Sequence, residues 1–205
     1  MIGFYDYTII LTLSSLISAV LGTIQAVNGS LRLAAFCLAF SGLCDAFDGM
    51  VAHTKKNRTE DEKTYGIQLD SLCDVVAFGV FPAMICYQMG VRGVLGLAAI
   101  CFYCTCAVIR LSYYNVLESN RMNQKITGEK VYHGLPVTSI TVILPLVMLA
   151  GLFLPAAVMP TVLLGMLFAV GTCFIVDFTM KRPGKWLMTA IIVVVAAAVV
   201  LMTVL

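Results

Sequence analysis

Apolar residues run along this chain in long stretches broken by short polar segments. Seven stretches, near 7–27, 31–53, 67–90, 92–116, 134–154, 158–177 and 186–205, approach the length of a bilayer-crossing helix, which needs about 20 mostly apolar residues. The interruptions carry turn residues. Asn28-Gly29-Ser30 separates the first two stretches, Pro155 and Pro160 bracket the link between the fifth and sixth, and Pro183-Gly184 precedes the seventh. The pattern predicts an all-α, polytopic integral membrane protein with six to seven transmembrane helices, residues 1–205 forming one membrane-embedded domain.

Composition supports the same reading. The chain is 60% apolar and 12% charged, whereas soluble domains run near 25% charged. Its 205 residues leave no room for a second, soluble domain. Ten of the thirteen Lys and Arg fall in three clusters, Lys55–Lys63, Arg121–Lys130 and Lys181–Lys185, which alternation of the spans places on one side. The positive-inside rule makes that side cytoplasmic. Arg32 and Arg92 are then outer-face residues able to snorkel, and Arg110 lies late in the fourth span. Lys55–Lys63, interleaved with Glu60, Asp61 and Glu62, reads as a solvated loop. Cys101-Phe-Tyr-Cys104 has CxxC spacing, but its apolar setting favours packing over redox or zinc chemistry. The first stretch lacks a basic n-region and a cleavage site, so it reads as a retained span.

Four aspartates change the picture. Asp45, Asp48 and Ala52 are spaced i, i+3, i+7 and share a helical face, with Gly49 on the same side. Gly66, Asp70 and Asp74 repeat the arrangement at i, i+4, i+8. The first set is expected to close span two and the second to open span three, so two antiparallel helices bring the acids together at the cytoplasmic interface. Carboxylates beside hydrocarbon cost several kcal/mol unless paired, hydrated or bound to a cation. Three readings compete: buried acids tying two helices, a cation or proton pathway, and a metal site. The acids have no basic partner within their helices, which favours the metal, and an all-oxygen donor set suits Mg²⁺, Mn²⁺ or Ca²⁺. A transporter is expected to carry a continuous polar path, yet spans five to seven are almost wholly apolar. A metal at a membrane surface suggests chemistry on a lipid or lipid-linked substrate.

The motif Asp45-x2-Asp48-Gly49-x2-Ala52…Gly66-x3-Asp70-x3-Asp74 resembles the signature of the CDP-alcohol phosphotransferase family. These integral membrane enzymes move a phosphatidyl-type group from a CDP-linked donor to an alcohol. Two departures stand out. His53 occupies the position where the family usually has Arg, and the stretch Thr54–Tyr65 that follows is longer than the family spacing. Lys55, Lys56 and Arg58 are candidates to replace that arginine. Asp70-Ser-Leu-Cys-Asp74-Val-Val-Ala-Phe78-Gly79, Arg110-Leu-Ser-Tyr-Tyr-Asn115 and Tyr132-His-Gly134-Leu-Pro136 are similar to segments of the phosphatidylserine synthase branch.

That resemblance implies CDP-diacylglycerol as donor, L-serine as acceptor and Mg²⁺ or Mn²⁺ as cofactor. It implies a metal held by Asp45, Asp48 and Asp70 with Asp74 sharing it, and Asp74 as general base. CDP and its diphosphate would meet Asp45, Asp48, Gly49, Ala52, Gly66 and Asp70. Serine or phosphate would meet Arg110, Tyr132, Gly134 and Pro136. An arginine fork suits a carboxylate or phosphate, and free N–H groups where span five begins at Gly134-Leu-Pro136 favour an anion. A homodimer in a bacterial cytoplasmic membrane, among membrane lipids and with no nucleic-acid partner, completes the expectation. Glycerol phosphate, inositol phosphate, or serine with an archaeal ether-lipid donor are the alternatives within the family.

Overall fold

A computed structural model describes residues 3–52, 54–55, 58–124, 132–180, 193–198 and 200–201. The chain folds as helices α1 (Ile10–Val27), α2 (Leu31–Ala52), α3 (Glu60–Asp74), α4 (Phe81–Gln88), α5 (Gly93–Gln124), α6 (Ile140–Gly151) and α7 (Met159–Ile175). Short 3₁₀ turns at Tyr7–Ile9 and Val137–Ser139 lead into α1 and α6. The one sheet pairing among the described residues is two residues long: β1 (Tyr132–His133) runs antiparallel to β2 (Thr179–Met180). Four helical stretches, Tyr7–Val27, Leu31–Val51, Glu60–Gln88 and Gly93–Asn120, are long and apolar enough to cross a membrane. Val137–Gly151 and Met159–Ile175 are shorter apolar helices. The molecule is a polytopic, all-helical membrane protein. Of the expected seventh span, 193–198 is helical. The rest of it lies almost entirely outside the described residues, as do His53, Lys56, Lys125, Lys130, Lys181, Arg182 and Lys185.

The third span differs most from expectation. Its helix begins at Glu60 rather than near 67. Thr59 caps it, accepting from the Glu62 N–H at 3.2 Å while the Glu62 carboxylate accepts from the Thr59 N–H at 2.9 Å. With this capping box, three acids in the first turn face the positive end of the helix dipole. The charged run Lys55–Lys63 is therefore helical from Glu60 onward rather than a loop throughout. Asp70 and Asp74 consequently lie about three and four turns into this helix rather than in its first turn.

Beyond Asp74 the same helix widens into a π segment, Val75–Val80, before α4. Pro82 accounts for part of this. It has no N–H to give the Phe78 carbonyl one turn earlier, and its ring crowds that carbonyl. The Tyr103 hydroxyl, from α5, donates to the Phe78 carbonyl at 2.6 Å, and the Cys104 thiol contacts that of Gly79 at 3.6 Å. Tyr103 is fully buried. Tyr103→Phe keeps the ring and strands the carbonyl, so it is expected to cost about 1–3 kcal/mol. Thermal unfolding in detergent checks this, and an unchanged midpoint would show that the bond contributes nothing.

Small residues bring α1 against its neighbours. Thr12, Ser15, Ser18, Ala19, Gly22 and Ala26 form its buried stripe. Ser41 Oγ donates to the Ser15 carbonyl at 2.9 Å and Ser18 Oγ to that of Cys37 at 2.9 Å, binding α1 to α2 as membrane helices commonly bind. A methyl group on Gly22 would collide with the Phe81 ring and stand 2.7 Å from Cys37 Cβ. On the other side of the bundle α5 packs on α7. Tyr103 and Phe174 meet there with ring centroids 5.5 Å apart.

Candidate active site

The α2–α3 pair presents its aspartates to one cleft of about 760 Å³, lined also by α1, α5 and the 3₁₀ turn that leads into α6. Asp45, Asp70 and Asp74 converge: one carboxylate oxygen from each lies within 4.8 Å of the others. Asp74 is 8% exposed, and Asp70 Oδ1 is buried with no hydrogen-bond partner. The ion pairs among the described residues, Lys55 with Asp6 and Glu62 and Lys63 with Glu60, leave the four aspartates uncompensated. Clustered carboxylates, a bare buried oxygen and an all-oxygen donor set fit a hard divalent cation. Asp45, Asp70 and Asp74 are the residues that could hold it. Asp48 lines the same cleft outside that trio, and its Oδ2 accepts from Thr12 Oγ1 at 3.2 Å.

Thr12 was not singled out in the sequence. The signal for it is the hydroxyl and small-residue stripe of α1, whose 3–4 residue spacing aims it at α2. The two motif glycines differ in their surroundings. A Cβ on Gly49 would meet nothing within 4 Å, so the cleft is open there, whereas one on Gly66 would stand 2.8 Å from Arg58 Nη2. Ala52 ends α2 and Tyr132 lies in β1. Pro136, Arg110 and Asn115 line the cleft. Ser71 Oγ donates to Asn115 Oδ1 at 2.6 Å, joining α3 to α5 beside the aspartates.

Arg110 is 5% exposed and sits in a cage of acceptors. Its Nη2 donates to the Gly134 carbonyl at 3.2 Å and its Nη1 to the Phe174 carbonyl at 3.3 Å, while the guanidinium carbon lies 4.7 Å from the centroid of the Tyr114 ring. Gly134 has φ +70°, a left-handed conformation natural to glycine. Its N–H donates to the Phe178 carbonyl at 2.7 Å, and that of Leu135 to the Cys173 carbonyl at 3.1 Å. The Gly134-Leu135-Pro136 segment therefore spends its N–H groups on the end of α7, and Pro136 has none to give. The anion site expected from free N–H groups at this helix start is not formed by these residues. The segment instead fixes Arg110 at the edge of the cleft.

The N-terminal segment straps the mouth of the cleft. Asp6 accepts from the Thr8 N–H at 2.8 Å, from the Thr8 hydroxyl, and from Lys55 Nζ at 2.9 Å; Lys55 also reaches Glu62 at 3.1 Å. Tyr7 and Thr54 hydroxyls meet at 3.0 Å, and Phe4 stacks edge-on against Tyr65 at 5.6 Å. Hydrogen bonds from Lys55, then from the Thr8 hydroxyl, hold the Asp6 carboxyl down at about 2. Its folded value lies below the unfolded one, so the strap stabilises the fold above about pH 4 and loses that contribution as pH falls toward 2. Lys55→Met is expected to return the Asp6 midpoint toward the ordinary carboxylate range. A carboxyl ¹³C NMR titration measures this, and an unmoved midpoint would exclude Lys55 as the main cause.

Comparison with known proteins agrees with this geometry. A family model described as CDP-alcohol phosphatidyltransferase matches residues 8–170, which include all four aspartates. A Saccharomyces cerevisiae protein named CDP-diacylglycerol--serine O-phosphatidyltransferase is 36% identical over 73 residues, 35% of this chain and 26% of that protein. Proteins of the same name from Mycobacterium bovis and Mycobacterium tuberculosis are 35% identical over 72 residues, 35% of this chain and 25% of theirs. These alignments span about a quarter of the relatives' own length, whereas the family match runs through most of this chain. The chain belongs to the CDP-alcohol phosphatidyltransferase family.

Proposed function

We propose that this protein transfers the phosphatidyl group of CDP-diacylglycerol to the hydroxyl of L-serine, giving phosphatidylserine and CMP. The convergence of Asp45, Asp70 and Asp74 with the bare Asp70 Oδ1 carries the phosphotransfer part of this reading. The relatives' names support serine as acceptor. Mg²⁺ or Mn²⁺ held by these aspartates, with Asp48 beside them, would neutralise charge developing on the diphosphate oxygens and help CMP leave.

The chain's own residues would do the rest. Asp74 takes the serine hydroxyl proton as general base. The serine oxygen then forms a bond to the phosphorus that carries diacylglycerol. The bond from that phosphorus to the bridging oxygen breaks, and CMP departs with the electron pair. Gly49 leaves room for the diphosphate, and Arg110, held by Gly134 and Phe174, faces the acceptor side beside Asn115. The acyl chains remain in the bilayer. Residues 1–205 would act as one domain, as a homodimer, with the cleft toward the cytoplasm of a bacterial membrane.

The test is a membrane assay with labelled serine and CDP-diacylglycerol, run against glycerol phosphate and inositol phosphate as competing acceptors. Phosphatidylserine formed with release of CMP is the expected result. Preference for another acceptor would reassign the substrate, and no transfer to any alcohol would refute the reading.

A further inference from the structure

Resting on the CDP-linked donor of that reading, we propose that Arg58 replaces the arginine missing at position 53 and binds a phosphate oxygen of the donor's diphosphate, opposite the aspartates. Among the described residues, which leave out Lys56, it is Lys55, Arg58 and Lys63 that line the cleft near the motif. Two of them are already committed. Lys55 is ion-paired with Asp6 at 2.9 Å and Glu62 at 3.1 Å, and Lys63 with Glu60 at 2.7 Å. Arg58 forms no ion pair with a described residue. Its Nη2 reaches the Glu62 carbonyl at 3.4 Å, and its Nε is buried with no hydrogen-bond partner.

A buried guanidinium N–H without an acceptor is costly, and native proteins leave few of them. The same cleft holds the opposite case in Asp70 Oδ1, a buried acceptor without a donor. A diphosphate bound with its divalent cation answers both: the cation meets the aspartates and a phosphate oxygen meets Arg58. Arginine suits the task because its planar donors match phosphate oxygens.

Gly66 explains how the guanidinium fits. A Cβ there would stand 2.8 Å from Arg58 Nη2, so a side chain at 66 would push the guanidinium out of place. The glycine that the motif supplies for ligand approach here makes room for an arginine contributed by the longer α2–α3 connection. The departure at position 53 and the longer connection are thus two parts of one substitution: the cation has moved from the end of α2 to the residue just before the α3 cap.

The experiment is isothermal titration of the purified full-length protein with CDP, and separately with inorganic pyrophosphate, at fixed Mg²⁺. Arg58→Gln is expected to weaken both by about tenfold or more, the scale of losing a hydrogen bond to a charged group. Arg58→Lys, which keeps charge and loses the fork, should lose less. Unchanged CDP affinity in Arg58→Gln overturns the proposal, as does weakened CDP binding with unaltered pyrophosphate binding, which would place the contact on the nucleoside. If Arg58→Gln does not fold, as judged by detergent gel filtration, Arg58→Lys decides: wild-type affinity overturns the proposal and a several-fold loss supports it. Failure of serine transfer with Arg58-dependent CDP binding would remove serine as acceptor and leave Arg58 in place. A wild-type protein that binds neither CDP nor pyrophosphate overturns both.

Discussion

Asp70→Asn is expected to abolish phosphatidyl transfer, by about 10³-fold or more, while the protein still folds and inserts. The magnitude follows from losing a ligand to a cation whose charge stabilisation is worth several kcal/mol. Asparagine has nearly the same shape, so packing in α3 survives. The stability change separates this effect from misfolding. Asp70 shares a tight cluster with Asp45 and Asp74 and ends in a bare buried oxygen. Removing one of several crowded carboxylates relieves repulsion when no cation is bound. In EDTA the variant should therefore melt at or above the wild-type temperature, and the stabilisation that Mg²⁺ gives the wild type should shrink. Turnover close to wild type at saturating Mg²⁺ would remove Asp70 from the site.

Asp74→Asn is expected to reduce transfer by about 10²–10⁴-fold, the usual cost of losing a general base. Its position makes the assignment sharper and harder. Asp74 is buried, and its oxygen falls within the same 4.8 Å cluster as Asp45 and Asp70. A group placed so could serve as base, ligand or both. Donor affinity distinguishes these roles. A dedicated base leaves CDP-diacylglycerol binding in Mg²⁺ intact when replaced by Asn, whereas a ligand weakens it as Asp70→Asn does. Equal loss in the two variants would assign Asp74 to the metal first.

The apolar runs were legible because length and hydropathy fix a membrane helix almost alone. The aspartate faces were legible because 3–4 residue spacing is a local property of α-helices. The start of α3 is hard to read because the charges of Lys55–Lys63 resemble those of a solvated loop. The Thr59–Glu62 capping box lies within that run and governs where the helix begins. The hydrogen bond that Asp48 takes from Thr12 depends on how α1 packs, which no short motif encodes. Arg110 illustrates a different limit. Its type and place were readable, but its anchoring to Gly134 and Phe174 joins residues far apart in the chain. Arg58 was one candidate beside Lys55 and Lys56, and its partners tell it apart from Lys55, while Lys56 lies outside the described residues.

The π segment after Asp74 makes the third span a vernier. A π turn absorbs about one residue more than an α turn, so Val75–Val80 carries what amounts to a one-residue insertion between the aspartates and α4. Deleting one residue there would let the helix relax to α geometry with its far half still in phase, whereas inserting one more would turn everything beyond it by about 100°. Phe81 and Ile85, now buried among α1 and its neighbours, would swing toward lipid while Asp70 and Asp74 kept their places. The span thus has two halves whose rotational phases are set separately, one for chemistry and one for anchoring. A one-residue insertion in Val75–Val80 would disrupt the bundle more than most substitutions there, and more than a one-residue deletion.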